Sequence, residues 1–187
     1  MRIIAGKHKN RTIPSLKNSD YRPSTTKFRE ALFSILSSGE FADSLPVENA
    51  DILDLFAGTG SLSFEALSRG AKTITLLDNN KNHLQVAKEF AAQMGEAENI
   101  KFLLASAISL PYASSQYSLV FMDPPYYNQF VGKTLSSLIK NQWLKNGAII
   151  AVEMERREDL DLPTEIHLMK EKIYGNNKLL ILRYEQE

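Results

Sequence analysis

The sequence predicts an α/β fold: a Rossmann-like, mostly parallel sheet with a C-terminal antiparallel hairpin, plus a small N-terminal β-hairpin extension. Three observations carry this. From about Asp51 onward, the apolar runs Ile52–Phe56, Thr73–Leu77, Ile100–Leu104, Ser118–Met122 and Ala148–Val152 alternate with amphipathic segments. Strands apolar on both faces and separated by helices belong in a parallel sheet covered on both sides. A glycine loop, Ala57-Gly58-Thr59-Gly60, stands between the first run and the first helix. Finally, the runs Ile166–Ile173 and Lys178–Tyr184 are joined by Tyr174-Gly175-Asn176-Asn177, which is turn chemistry with no room for a helix. Those two strands must therefore pair antiparallel.

The elements follow in order. Ile3–Ala5 and Arg11–Ile13 flank Gly6-Lys7-His8-Lys9-Asn10, the pattern of a small hairpin, and residues 1–20 are set apart as an extension from a main domain at 21–187. Ser24 to Leu36 reads as a helix with Phe28, Leu32, Ile35 and Leu36 on one stripe, capped by Ser24 or Thr25. Helices are expected at 61–69, at 80–94 with Leu84, Ala87, Ala91 and Met94 inward, and at 129–140, with a turn near 107–112. Leu179-Leu180-Ile181-Leu182 is continuously apolar, which suits a strand inside the sheet rather than at its edge.

Composition removes several classes of function. The chain has 187 residues, enough for one well-buried domain, and no cysteine, which excludes disulfides and thiolate metal sites. His8, His83 and His167 have no ligand spacing, so no metal is expected. No apolar run approaches the roughly 18 residues of a membrane span. The start, Met-Arg-Ile-Ile-Ala-Gly, is too poor in apolar residues for a signal peptide, and the cytoplasm is the default location. Net charge is zero, yet residues 1–30 carry eight basic side chains against Asp20 and Glu30, a local balance of +6. A basic end on an acidic body suggests a polyanion contact; the alternative is a solvated surface.

The residues that carry chemistry cluster at the ends of the runs. Gly58 and Gly60 allow a tight turn and close approach of a ligand to the backbone. The dinucleotide fingerprint wants Gly or Ala three residues after Gly60, where this chain has Ser63, and there is no P-loop. Asp54, an acid inside an apolar strand, needs a partner; it reads as a ligand for the amino group of S-adenosylmethionine or as a loop staple. Asp78, which ends the second run, is placed to accept both hydroxyl protons of a bound ribose, or to cap the following helix. Asp123-Pro124-Pro125-Tyr126 closes the fourth run. The acid accepts hydrogen bonds from an exocyclic amine, prolines lack N–H and leave their carbonyls as pure acceptors, and the tyrosine offers a face for stacking. That constellation points to methyl transfer onto a nucleobase removed from its helix. Tyr127 and Phe130 add aromatic surface, with helix packing the expected role of Phe130. Arg22, Thr25, Thr26 and Arg29 could reach a cofactor carboxylate or an RNA phosphate.

Taken together, these motifs resemble the bacterial 16S rRNA guanine-N2 methyltransferases of the RsmD type, within the class I methyltransferases. The resemblance spans nearly the whole chain: Arg2-Ile3-Ile4-Ala5-Gly6-Lys7, Arg22-Pro23-Ser24-Thr25-Thr26, Arg29-Glu30-Ala31-Leu32-Phe33, Asp54 to Gly60, Glu65 to Ala71, Asp123 to Tyr126, and Tyr174-Gly175-Asn176. It implies S-adenosyl-L-methionine as methyl donor and a guanine of 16S rRNA, in a partly assembled small ribosomal subunit, as acceptor. The implied catalytic residues are Asp123, Pro124, Pro125 and Tyr126. The implied cofactor contacts are Asp54, Phe56, Ala57, Gly58, Gly60, Asp78, Asn79, Ser106, Ala107 and Asp123. Arg2, Lys7, Lys9, Arg11, Arg22, Arg29 and Tyr126 are expected at the RNA. Two departures stand out: Ala105-Ser106-Ala107 lacks the family's acid for the adenine amine, and Ser63 replaces a glycine at a helix–strand contact. A monomer is the default expectation. Adenine-N6 methylation of DNA or RNA, and a catalytically silent RNA-binding assembly factor, remain as alternatives.

Overall fold

The computed structural model describes residues 1–16, 26–38, 47–125 and 129–186. Helix α1 (Thr26–Leu36) precedes the sheet. Then follow β1 (Asp51–Leu55), α2 (Ser61–Ser68), β2 (Thr73–Asp78), α3 (Lys81–Met94), β3 (Ile100–Leu104), β4 (Tyr117–Met122) and α4 (Phe130–Lys140). The long β5 (Leu144–Glu155), β6 (Ile166–Tyr174) and β7 (Asn177–Tyr184) complete the chain. The strands form one sheet in the order β3-β2-β1-β4-β5-β7-β6. β1 to β5 run parallel, and β7 enters antiparallel between β5 and β6. The apolar run Leu179–Leu182 is thus interior, as its composition predicts, and all four side chains are buried.

The sheet is covered on both faces. Ile52, Leu76 and Phe121 point to one side, where they meet Phe33 of α1, Phe64 of α2 and Phe90 of α3. Leu53, Leu55, Val120 and Ile150 point to the other, against Leu135 and Leu138 of α4 and Trp143. Burying each such side chain is worth about 1.5–3 kcal/mol, so a strand apolar on both faces is held far more firmly here than at a surface. Strand order reverses between β1 and β4, and a crevice opens outside the carboxyl ends of the strands at that point.

Two regions differ from the sequence reading. The N-terminal hairpin forms a single antiparallel bridge, Arg2 with Thr12, rather than paired strands. The reason is competition: the backbone N–H groups of Ile4 and Ala5 donate instead to the Glu65 carboxylate, at 2.7 and 3.2 Å. Ile3 and Ile13 are buried in the same core as Phe33 and Phe64, so the extension is packed onto the sheet's helices. β5 is longer than its apolar stretch, because polar residues at its end still find backbone partners: Glu153 to Glu155 pair with Leu179 to Asn177 of β7.

Candidate functional site

The first loop of the crevice is built on backbone that only certain residues tolerate. Gly60 has φ +85°, and a Cβ there would lie 2.8 Å from both Leu76 and Phe64, so glycine is required by conformation and by space. Phe56, just after β1, also has positive φ, at 57°. A bulky residue held in the left-handed region marks a site where the surroundings over-determine the backbone. Its ring stacks on Phe130, the first residue of α4, with centroids 6.0 Å apart.

Asp78 ties this loop to the next element. Its Oδ2 accepts the Gly58 N–H at 2.8 Å and its Oδ1 accepts the Asn80 N–H at 2.8 Å. The side chain of Asn80, not Asp78, caps α3, accepting the Asn82 N–H at 2.9 Å. Each oxygen of Asp78 keeps capacity for one more donor. His83 Nδ1 lies 3.4 Å from Asp78 Oδ1.

A cleft of about 510 Å³ opens here. Of the residues named from sequence, Phe56, Asp78, Asn79, Ser106, Ala107, Asp123 and Pro125 line it together, from four segments of the chain. His83 and Ile108 line it as well and were not expected there, and Phe130, expected to pack near the pocket, lines it too. The available signals were positional: His83 lies one turn into the helix that follows Asp78, and Phe130 opens the helix that follows the Asp-Pro-Pro-Tyr segment.

The other expected residues lie elsewhere. Ala57, Gly58, Gly60 and Pro124 sit outside the lining, the first two tied to β2 through the bonds Ala57 N–H to Leu77 O, 3.1 Å, and Gly58 N–H to Asp78. Asp54 is buried behind the loop, and its Oδ2 accepts both the Ser63 hydroxyl at 2.5 Å and the Ser63 N–H at 3.1 Å. Ser63 therefore supplies the contact that joins helix α2 to strand β1. Burial pushes the Asp54 carboxyl up to about 7 against the Ser63 hydrogen bonds, and the charges of Asp123 and Asp78 push the same way.

The expected RNA contacts divide. Arg29 is corrected: its side chain is fully buried, with Nη2 donating to Arg2 O at 2.9 Å, because it lies on the core face of α1. Arg2, Lys7, Lys9 and Arg11 are exposed. Their hairpin seats on the C-terminal ends of α2 and α3, through Lys7 N–H to Ser68 O at 2.8 Å, Lys7 Nζ to Glu96 at 2.6 Å, and Arg11 to Gln93 O at 3.0 Å. α3 has 14 residues, so this seat is about 20 Å along the helix from the cleft. Arg22 and Tyr126 lie outside the described residues, as do the caps Ser24 and Thr25. Among the described residues there is no group of acids and histidines able to hold a metal ion, and no helix is long and apolar enough to cross a membrane.

The family described as Conserved hypothetical protein 95 matches residues 1–183. An uncharacterized methylase of Rickettsia prowazekii is 41% identical, covering 98% of both chains. Ribosomal RNA small subunit methyltransferase D of Haemophilus influenzae is 34% identical, covering 94% of this chain and 89% of that one. The solved structure of Escherichia coli yhhF superposes with a TM-score of 0.86 and 30% identity, covering 100% of this chain and 99% of that one. A seven-stranded sheet with a cleft at its switch point, matched over its whole length by such relatives, places the chain in the methyltransferase family of ribosomal RNA small subunit methyltransferase D.

Proposed function

We propose that this protein transfers a methyl group from S-adenosyl-L-methionine to the exocyclic N2 of a guanine in 16S rRNA, acting on a small ribosomal subunit precursor. The observation that carries this reading is the convergence of Asp78, Asp123 and Pro125 on one cleft: an acid suited to a ribose beside an acid suited to an amine.

The cofactor fits the residues present. Asp78 is fixed by two backbone N–H groups with accepting capacity left on both oxygens, which is what two ribose hydroxyls need. In place of the family's acid, the Ser106 hydroxyl and the Ala107 backbone meet the adenine, with Ile108 as an apolar wall. When bound, S-adenosyl-L-methionine supplies an electrophilic methyl on a sulfonium.

The chain's own residues prepare the acceptor. The N2 of guanine is a poor nucleophile because its lone pair is delocalised into the ring. Asp123 and the Pro124 carbonyl accept hydrogen bonds from that NH2, hold it in line and favour a pyramidal nitrogen. Asp123 also stabilises the positive charge that develops on nitrogen, and takes the proton released as the N–C bond forms. Tyr126, next in sequence, is assigned the stacking face for the extruded base.

The test is tritium transfer from labelled S-adenosylmethionine to small subunits from cells lacking the gene, followed by nucleoside analysis of the rRNA. Label in N2-methylguanosine supports the reading. Label in N6-methyladenosine overturns the acceptor base but keeps the chemistry, and absence of label from RNA overturns the reading.

A further inference from the structure

A second groove, of about 600 Å³, lies beside the cleft between the short turn Ala107–Ser109 and α4. The two adjoin at Ile108, which lines both. The walls are fixed to each other: Ser137 Oγ accepts the Leu110 N–H at 2.9 Å, the Ala113 N–H donates to Asn141 O at 2.9 Å, and Trp143 Nε1–H donates to Pro111 O at 2.8 Å. It is therefore a built feature of the fold.

Its chemistry is one-sided. Lys133 and Lys140 line it with Ser109, Ser136 and Asn141, and no carboxylate is among its described lining residues. α4 itself carries no acid. Both lysines are exposed, and among the described residues no carboxylate pairs with either ammonium. Lys133 stands in the first turn of α4, where the helix dipole disfavours a cation and favours an anion. Two lysines seven residues apart on one helix face are separated by about 10 Å along the axis. That is a spacing for successive points on a strand rather than for one small anion.

We propose that this groove is the track for the single-stranded RNA that flanks the target base, with Lys133 and Lys140 each neutralising a phosphate and Ile108 forming the apolar step into the cleft. The inference rests on the RNA methyltransferase reading above. Single-stranded nucleic acid is bound in just this way, by a basic groove that follows the backbone next to a pocket that takes an unstacked base. It also moves the RNA contact from the basic N-terminal hairpin, at the far end of α3, to a surface that adjoins the chemistry.

The experiment compares wild type with K133A/K140A and with K72A/K101A, a charge-matched control on exposed lysines at the N-terminal ends of β2 and β3. Binding to a fluorescent single-stranded 16S rRNA fragment containing the target guanine is measured across a salt series, with cofactor binding by calorimetry as a check on folding. K133A/K140A should weaken RNA binding about 10-fold near 0.1 M salt and reduce the log–log salt slope by about 1.4, at about 0.7 per single-strand phosphate contact. Cofactor binding should be unchanged, and the control should bind RNA as wild type does. An unchanged slope in K133A/K140A overturns the groove while leaving the methyltransferase reading intact. Slower methylation of assembled subunits with unchanged binding to the RNA fragment also overturns it, in favour of a protein component at this surface. If wild type neither binds nor methylates RNA, the parent reading falls and the groove with it.

Discussion

Glu65 and Glu96, at the C-terminal ends of α2 and α3, each accept three donors from the chain itself, while Asp78 and Asp54 sit at the other end of the same two helices under opposite conditions. Glu65 accepts from the Ile4 and Ala5 N–H groups and from Arg69 at 2.7 Å. Glu96 accepts from Lys7, His8 and Asn99. Both carboxylates fasten the N-terminal hairpin. Asp78 holds two backbone N–H groups with lone pairs to spare, and Asp54 is buried with Ser63 and sits within the field of two other acids. Carboxylates spent on the chain's own donors anchor structure, whereas Asp78, with capacity left in the cleft, is suited to a ligand. The molecule thus fastens its N-terminal hairpin at one end of these helices and holds Asp78 open to a ligand at the other.

The largest effect that would break this contrast is at the cleft. Asp123→Ala should lower kcat by about 10²- to 10³-fold, the usual cost of removing one group aimed at developing charge. The protein should still fold, measured by thermal melting, and any loss of cofactor affinity, measured by calorimetry, should be small beside the loss in kcat. A rate near wild type would remove Asp123 from the mechanism. At the opposite end, Glu65→Ala should leave turnover of the folded enzyme nearly unchanged but cost about 3 kcal/mol, because the partly buried Arg69 and two backbone donors lose their acceptor. In a chain of this size that is a fall in Tm of about 10 °C. A large loss of turnover at full stability would mean that the two ends are coupled.

How much of this the sequence reveals follows the same division. The sheet, its switch point and the inserted β7 are legible because alternation and turn chemistry are local signals. Asp78 and Asp123 are legible because they end apolar runs, and in this architecture strand ends are where ligands bind. Partners distant in sequence are not legible. Ser63 reads as a defect until its hydroxyl is seen on Asp54. The charge of Lys7 and Lys9 reads as an RNA arm, but the sequence does not show that Glu96, far along the chain, holds Lys7 and His8. Arg29 reads as surface until the helix stripe that carries it turns inward. Phe130 reads as packing near the pocket, but its partner there, Phe56, is set by loop geometry that the sequence does not show.

Stability against pH separates the two classes of carboxylate. Asp54 has its folded value raised from 3.8 to about 7 by burial, with the neighbouring acids adding to it. Such a group contributes stability that is fully present below its unfolded value and is lost as pH rises through the folded one. Wild type should therefore lose about 2 kcal/mol relative to Asp54→Asn between pH 5 and pH 8, measured by urea denaturation. Asparagine can still accept both Ser63 donors, so the variant isolates the charge. A pH-independent difference would show that Asp54 stays ionised throughout.

Glu96 gives the smallest effect and the opposite sign. Burial raises its carboxyl, but the hydrogen bonds from Lys7, His8 and Asn99 outweigh that and leave it below its ordinary value of 4.5. A lowered folded value means stability present above the unfolded value and lost as pH falls through the folded one. Glu96→Gln should accordingly lower Tm by only a few degrees at pH 7, since Lys7 is half exposed and its ion pair is screened by solvent. The difference should shrink as pH falls below the ordinary value of 4.5 and through the lowered folded value of the wild-type carboxyl. Methyl transfer should not change at either pH, because the seat is a helix length from the cleft. If turnover fell in step with the Tm shift, the hairpin would have to act on the reaction as well as on the fold, and the separation between anchoring acids and reacting acids would fail at its weakest point.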